Sequence, residues 1–489
     1  MTTRLTRALD DRESLIAAGA AGAAALIAFL GAHRLGTTGL LLPLVAVLLI
    51  ILMRRPVAMV VLVTMLAIVC EGPTFGVLSF TSTLYSDRFY HELNPLDMLV
   101  ALTVISVGLD VMRSRRAVIL PRPLLLPLVL LALAILAGCV TGIAAGQSPK
   151  LVILSANVLL YLLVLPLVVA NLRIDRRHVT MLIGGAAALA IVKAVLGLIE
   201  VFGHYGQAIE GHTTLSYYEP PANWLIMCAL LGIAMLVLAR VRPPLWVLMG
   251  TPLLLACLVL SYRRSFWIGS VLGILLVLLL GSSATGRRLL VPTCLLVAIA
   301  IWTLGSTGWQ SSDSPIVQRA TSLAPAKLEA NVEDRYRLDE RANVLGAIGQ
   351  HPITGLGLHV PWSASSRPLS IEHPEGRMYV HFAALWFWLK LGILGLAAYL
   401  TLLTGAGMLA WQVWRQSQEP SARAFGLASL CALVGLAVIE LTASFTGVEQ
   451  RFTILFGVQL GLLALLARKA DPTERLPGGS RARAVTLER

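Results

Sequence analysis

Long apolar runs alternate with short polar connections along almost the whole chain. They fall at roughly 15–32, 37–53, 57–71, 96–112, 123–144, 151–170, 179–201, 221–239, 245–260, 266–281, 289–305, 381–405, 424–443 and 453–467. Most are long enough to cross a hydrocarbon core about 30 Å thick. Water is absent at that depth, so each crossing run must pair its own backbone groups as a helix. The pattern predicts an all-α, polytopic helical membrane protein with about 14 spans. One interruption stands out, the polar stretch from about Gly305 to Val380 between spans 11 and 12. Within it, residues 328–349 read as an amphipathic helix whose packed face is drawn from Leu338, Val344, Leu345 and Ile348. Pro352, Gly355 and Gly357 then end that helix in a turn.

Charge adds a direction. The chain of 489 residues is 57% apolar and only 13% charged, with mean hydropathy +0.79, against about 25% charge in soluble domains. Its net charge of +13 is dispersed in short arginine clusters between apolar runs, the pattern of cytoplasmic loops rather than of a nucleic-acid surface. The N-terminus, Arg54–Arg55, Arg113–Arg116, Arg173–Arg177, Arg240/Arg242, Arg287–Arg288, Arg415/Arg423 and the tail after Arg468 all fall on one side if there are fourteen spans. Both termini are then expected in the cytoplasm, and the 306–380 loop faces the opposite, outer side. Eight of the nine histidines lie on that outer side or at its boundary. The six cysteines lie in or beside apolar runs and suggest no disulfide framework. No small-residue cleavage site follows the first run, which therefore reads as a span, and the tail from 468 to 489 reads as disordered.

Candidate chemistry gathers around the loop. Arg263 and Arg264 depart from the charge rule: they sit between two spans on the outer side, where a guanidinium near hydrocarbon is costly. A guanidinium presents a planar fork of donors suited to phosphate oxygens, and snorkelling to lipid headgroups is the plain alternative. Arg335, Arg337 and Arg341 are spaced so that two can share a face of the loop helix. His381 stands at the entry to span 12, where an imidazole can take and hold a proton near neutral pH. The loop also carries His351, His359 and His373, but these spacings are too loose for a zinc ligand set.

Several of these segments together resemble the O-antigen ligase family, which also includes polysaccharide polymerases and some protein O-oligosaccharyltransferases. The resemblance rests on Arg341, the turn Pro352-Ile-Thr-Gly355-Leu-Gly357, His381 opening a helix, Gly392-Ile-Leu-Gly395 and Ser261-Tyr-Arg263-Arg264-Ser-Phe-Trp267. Phe382 stands where the family usually has Asn, and Lys390 where an acid is common. The resemblance implies a membrane glycosyltransferase. Its donor is a glycan on polyprenyl pyrophosphate, and its acceptor is a hydroxyl of a glycan, lipid or protein. The same resemblance makes His381 the catalytic base, with Arg263, Arg264 and Arg341 on the donor pyrophosphate and Arg337 and His359 in support. It also implies inversion at the anomeric carbon and independence of metal and nucleotide cofactors. The expected organisation is an N-terminal bundle (1–254), a ligase-like core (255–405), C-terminal spans (406–467) and the tail. The rival from another class is a lipid-linked glycan transporter built on the intramembrane charges Lys193, Glu200 and Glu440, for which a structural Lys193–Glu200 lock on one helix face is the plain alternative. A structural scaffold for envelope assembly is a third reading.

Overall fold

The structure, a computed structural model, describes residues 42–71, 78–82, 84, 94–119, 121–203, 208–209, 212–213, 220–239, 241–281, 288, 292, 299, 317, 332–369 and 376–470. Thirteen helices of ten or more residues lie among them: α1 Leu42–Met53, α2 Pro56–Val69, α3 Pro95–Arg113, α4 Arg122–Ala144, α5 Pro149–Ala170, α6 Arg176–Phe202, α7 Pro220–Leu238, α8 Leu245–Leu260, α9 Arg264–Leu280, α10 Val332–Gln350, α11 Ala383–Gln416, α12 Pro420–Ile439 and α13 Gln450–Ala470. A two-residue antiparallel ladder, Ala208–Ile209 with His212–Thr213, is the described β structure. Proline supplies the start of several helices, at Pro56, Pro95, Pro149 and Pro420 among others, because its missing N–H costs nothing in a first turn. Asn94 adds a capping box with Asp97 to α3.

Eight described helices are long and apolar enough to cross a membrane, or nine if the bent pair α1–α2, which turns by 120°, is one span. The apolar helices α8 and α9 are shorter, at 16 and 17 residues. The expected span at 15–32 lies outside the described residues, as does that at 289–305 apart from residues 292 and 299, so the count of fourteen is not reached among the described residues. The bundle closes through small residues, as helices in lipid do. A Cβ on Gly435 of α12 would come within 2.9 Å of the Gly269 carbonyl of α9, and one on Gly405 of α11 within 2.4 Å of the Pro123 carbonyl of α4.

The two ends of the bundle differ. At one end Asp110 at the end of α3 holds Arg116 at 2.6 Å, and Lys469 at the end of α13 donates to the Ile174 carbonyl. The other end gathers the starts of α9, α11 and α13, the ends of α8 and α12, and the helix α10. Two readings need correction here. Lys193 does not lock to Glu200: its ammonium lies 2.6 Å from Glu71, just past α2, and both side chains are almost wholly buried. A same-face pair on one helix was the nearest partner visible in sequence, whereas the bundle supplies a carboxylate from another helix. In α10 the buried residues are Asp334, Tyr336, Glu340, Asn343, Val344, Ala347 and Ile348, while Leu338 and Leu345 are exposed. From Tyr336 on, periodicity of three and four sets that face, and Asp334, Glu340 and Asn343 are polar residues that an apolar tally passes over.

The helix α11 is broken. Gly392 has φ +67° and ψ −164°, which no helix accommodates. Leu389 therefore loses its usual backbone donor and accepts from Leu356 N–H at 2.6 Å, while Ile393 N–H donates to the Ile353 carbonyl at 3.1 Å. The Pro352–Gly357 turn thus fills the break, and Trp388 Nε1–H fastens it by donating to the Pro352 carbonyl at 2.8 Å. The turn also meets α4: Leu358 N–H donates to the Gly138 carbonyl at 2.9 Å, and a Cβ on Gly357 would sit 2.3 Å from Gly142 N. The glycines of this turn have a packing task. A Cβ on Gly392 would lie 2.0 Å from the Ile353 carbonyl oxygen. Gly392→Ala is expected to lose roughly 2–3 kcal/mol of stability, from strain at a positive φ and loss of the backbone exchange. Thermal unfolding in detergent measures this, with Gly349→Ala, which meets nothing within 4 Å, as the tolerated control.

Candidate active site

His381 precedes the N-cap of α11, and α10 runs across that helix mouth. Glu340, fully buried on α10, accepts the backbone N–H of His381 at 2.9 Å. Its carboxylate also lies 3.0 and 3.2 Å from His381 Nδ1. A carboxylate on Nδ1 fixes the ring and holds its proton on that nitrogen, so Nε2 is the nitrogen suited to act as base. Two aromatic rings box the imidazole edge-on: Tyr379 at 4.8 Å and Tyr336 at 5.9 Å between centroids. The Tyr379 hydroxyl accepts Ser444 N–H at 3.0 Å, and Ser444 Oγ donates to the Val380 carbonyl at 2.6 Å. The strand-like approach to His381 is thereby tied to the turn after α12. That turn is organised by Glu440, whose carboxylate accepts from the Tyr399 hydroxyl at 2.6 Å and from Thr446 N–H at 2.7 Å.

The next residue on each side forms a second rung. The Arg341 guanidinium lies 5.7 Å over the Phe382 ring, so residues 340 and 341 of α10 face 381 and 382 in parallel. One to two turns back on α10, Asp334 receives both Arg264 and Arg337. Arg264 Nη2 donates to its two carboxylate oxygens at 2.8 and 2.9 Å in a buried pair, and Arg337 Nη1 lies at 3.4 Å. Arg263 sits on the same post-α12 turn, its guanidinium 5.5 Å from the Phe445 ring. The site residues expected from sequence thus fall into two groups. His381, Arg264, Arg337 and Arg341 are arrayed along α10, with Arg263 joined through the Phe445 turn. His359 is placed elsewhere, at 3.0 Å from Ser155 on α5. Burial and the nearby Lys390 charge hold its imidazole below the usual range.

Asn343 holds the rest of the loop against α10. Its side-chain oxygen accepts Ser366 and Arg367 N–H at 2.7 and 2.9 Å, and its amide donates to the Arg367 carbonyl at 2.8 Å. Trp362 N–H and Nε1–H donate to the Arg377 and Tyr379 carbonyls, which closes the loop behind His381. Sequence reasoning weighed the arginines around position 340 and passed over Glu340 itself. Its spacing of four from Tyr336 and Val344 was the available signal, since it puts a carboxylate on the face that packs.

The architecture and the site define a helical membrane protein with an imidazole–carboxylate pair flanked by guanidinium groups at one end of its bundle. Residues 249–400 match the family described as O-antigen ligase, a stretch that runs from α8 through the site to the middle of α11. That stretch is therefore similar to the O-antigen ligase family. No curated protein matches the chain.

The Arg264–Asp334 pair offers a direct check on this geometry. Asp334→Ala takes the carboxylate from a buried guanidinium and is expected to cost about 3–5 kcal/mol, and Arg264→Ala less, because Asp334 keeps Arg337. The double variant is expected to cost clearly less than their sum, read from a double-mutant cycle on detergent unfolding curves.

Proposed function

We propose that this protein transfers a glycan from a polyprenyl-pyrophosphate carrier to an acceptor hydroxyl, as an O-antigen ligase-like glycosyltransferase. The observation that carries the reading is the Glu340–His381 pair at the mouth of α11 with Arg341 on the adjacent rung. The acceptor oxygen attacks the anomeric carbon, its proton passes to His381 Nε2, and the bond from that carbon to the carrier phosphate breaks. The pyrophosphate leaves with the electron pair, and attack from the far side inverts the anomeric centre. Negative charge grows on the leaving group, and fixed guanidinium groups in a low-dielectric mouth stabilise it strongly. Arg341, Arg263 and Arg264 serve that role, with Arg337 in support. Asp334 holds Arg264 and Arg337 in place before the donor arrives. Arginines supply here the charge that a metal ion supplies in other transferases. Glu340 orients the base and stabilises the imidazolium once it forms.

On this reading the protein lies in the plasma membrane with both termini in the cytoplasm and this site at the outer face. Among the described residues, the connections at Arg113–Arg116 and Arg415–Arg423 lie at the end of the bundle away from His381, which supports that reading. Two of the three intramembrane charges behind the transporter reading have structural partners. Lys193 is committed to Glu71, and Glu440 to the Tyr399 hydroxyl and the turn after α12.

His381→Ala is expected to lower transfer by about 10²–10⁴-fold, with Glu340→Gln intermediate. In cells lacking the gene and complemented with these variants, carrier-linked glycans are extracted and sized. Long polymers left on the carrier identify a ligase, and single repeat units identify a polymerase. A His381→Ala strain indistinguishable from wild type overturns the reading.

A further inference from the structure

A cleft of about 210 Å³ opens beside the site, lined among others by Ser155, His359, Tyr379, Trp386 and Lys390. Tyr379 is shared: its ring forms part of this wall and packs on the His381 imidazole. The volume is below the roughly 300–1,000 Å³ of pockets that enclose drug-sized ligands, and suits a single compact group. Lys390 decides its chemistry. The residue is 2% exposed, and its ammonium donates to the Val360 carbonyl. An ammonium carries three donors, and no carboxylate pairs with this one among the described residues. Every other strongly buried basic side chain discussed above has a carboxylate: Arg264 has Asp334, and Lys193 has Glu71. A buried cation without a counter-charge is costly, and a backbone carbonyl offsets only part of that cost. The other polar side chains of the wall are Ser155 and His359, joined at 3.0 Å, with Tyr379 and Trp386, and none of them is a carboxylate. The backbone is held to this arrangement, with His359 at φ +60°.

We propose that this cleft is an anion subsite, in which Lys390 supplies the charge and His359 and Ser155 supply hydrogen bonds to a carboxylate or phosphate group. The assignment of that anion to a transferred glycan rests on the function proposed above. It is then either the carboxylate of an acidic sugar next to the reacting unit or a phosphate of the lipid carrier. The anion site itself depends on neither.

Purified full-length protein in detergent micelles is titrated at constant ionic strength with sodium glucuronate, inorganic pyrophosphate or glucose, and binding is followed by ligand-observed NMR. At least one anion is expected to bind about tenfold more tightly than glucose, as a charge-assisted hydrogen bond warrants, and to lose that margin in Lys390→Met. Lys390→Arg is expected to keep part of it. If Lys390→Met does not fold, Ser155→Ala and His359→Gln on the rim carry the test, each with a several-fold loss. The anion whose margin is lost in Lys390→Met identifies the source: glucuronate an acidic sugar, pyrophosphate the carrier. Binding is expected to persist in His381→Ala, so a failure of the catalytic reading and a failure of this one are separable. Equal binding of anions and glucose, or anion binding unchanged in Lys390→Met and in both rim variants, overturns the proposal.

Discussion

A helix that breaks in an apolar setting leaves backbone groups that no solvent will satisfy, and α11 breaks at Gly392. The protein resolves this by bringing a second stretch of backbone to the break: the 352–357 turn gives an N–H to Leu389 and takes one from Ile393. Much else follows from that exchange. The turn begins two residues after α10 ends, so α10 must lie alongside the mouth of α11. There Glu340 reaches His381, and Arg341 reaches the ring of Phe382. The same turn presses on Gly138 and Gly142 of α4 and carries the chain on to His359 beside α5. A backbone constraint inside the bundle thus sets the positions of side chains at its end.

Charge at that end is arranged by one rule. Two buried carboxylates hold the working groups in place: Asp334 collects two arginines, and Glu340 collects the His381 imidazole and its backbone N–H. These carboxylates are therefore positioning groups, and the guanidinium groups and the imidazole are the working ones. Lys390 stands apart from this scheme, buried against a carbonyl where a carboxylate would be expected.

The membrane class and the edges of most spans were legible because each run's length and composition are local properties. The run at 245–260 matches α8 residue for residue, and Arg264 begins α9 with almost no connection, as its position between two runs implied. The turn at Pro352 and the gathering of Arg264, Arg341 and His381 at one end were also visible, from span parity and motif order. Pairings between distant segments were not. Nothing local in Lys193 points to Glu71, 122 positions away, rather than to Glu200 one turn pair along the same helix. Glu340 was hidden for a related reason: a buried carboxylate in a polar loop looks like a solvated one until the helix it packs on is known. The break at Gly392 was masked because a Gly-x-x-Gly within an apolar run reads as packing, and its broken hydrogen bonds are repaired by residues some 40 positions earlier.

The account turns on His381 as the proton acceptor in transfer. The most direct test is chemical rescue: His381→Gly protein is reconstituted in liposomes with a lipid-linked glycan donor and an acceptor, and transfer is measured with and without added imidazole. The account predicts that transfer is nearly lost in the variant and partly restored by imidazole, because the small base can occupy the space between Glu340 and the acceptor. Wild-type transfer by the variant without imidazole would contradict it.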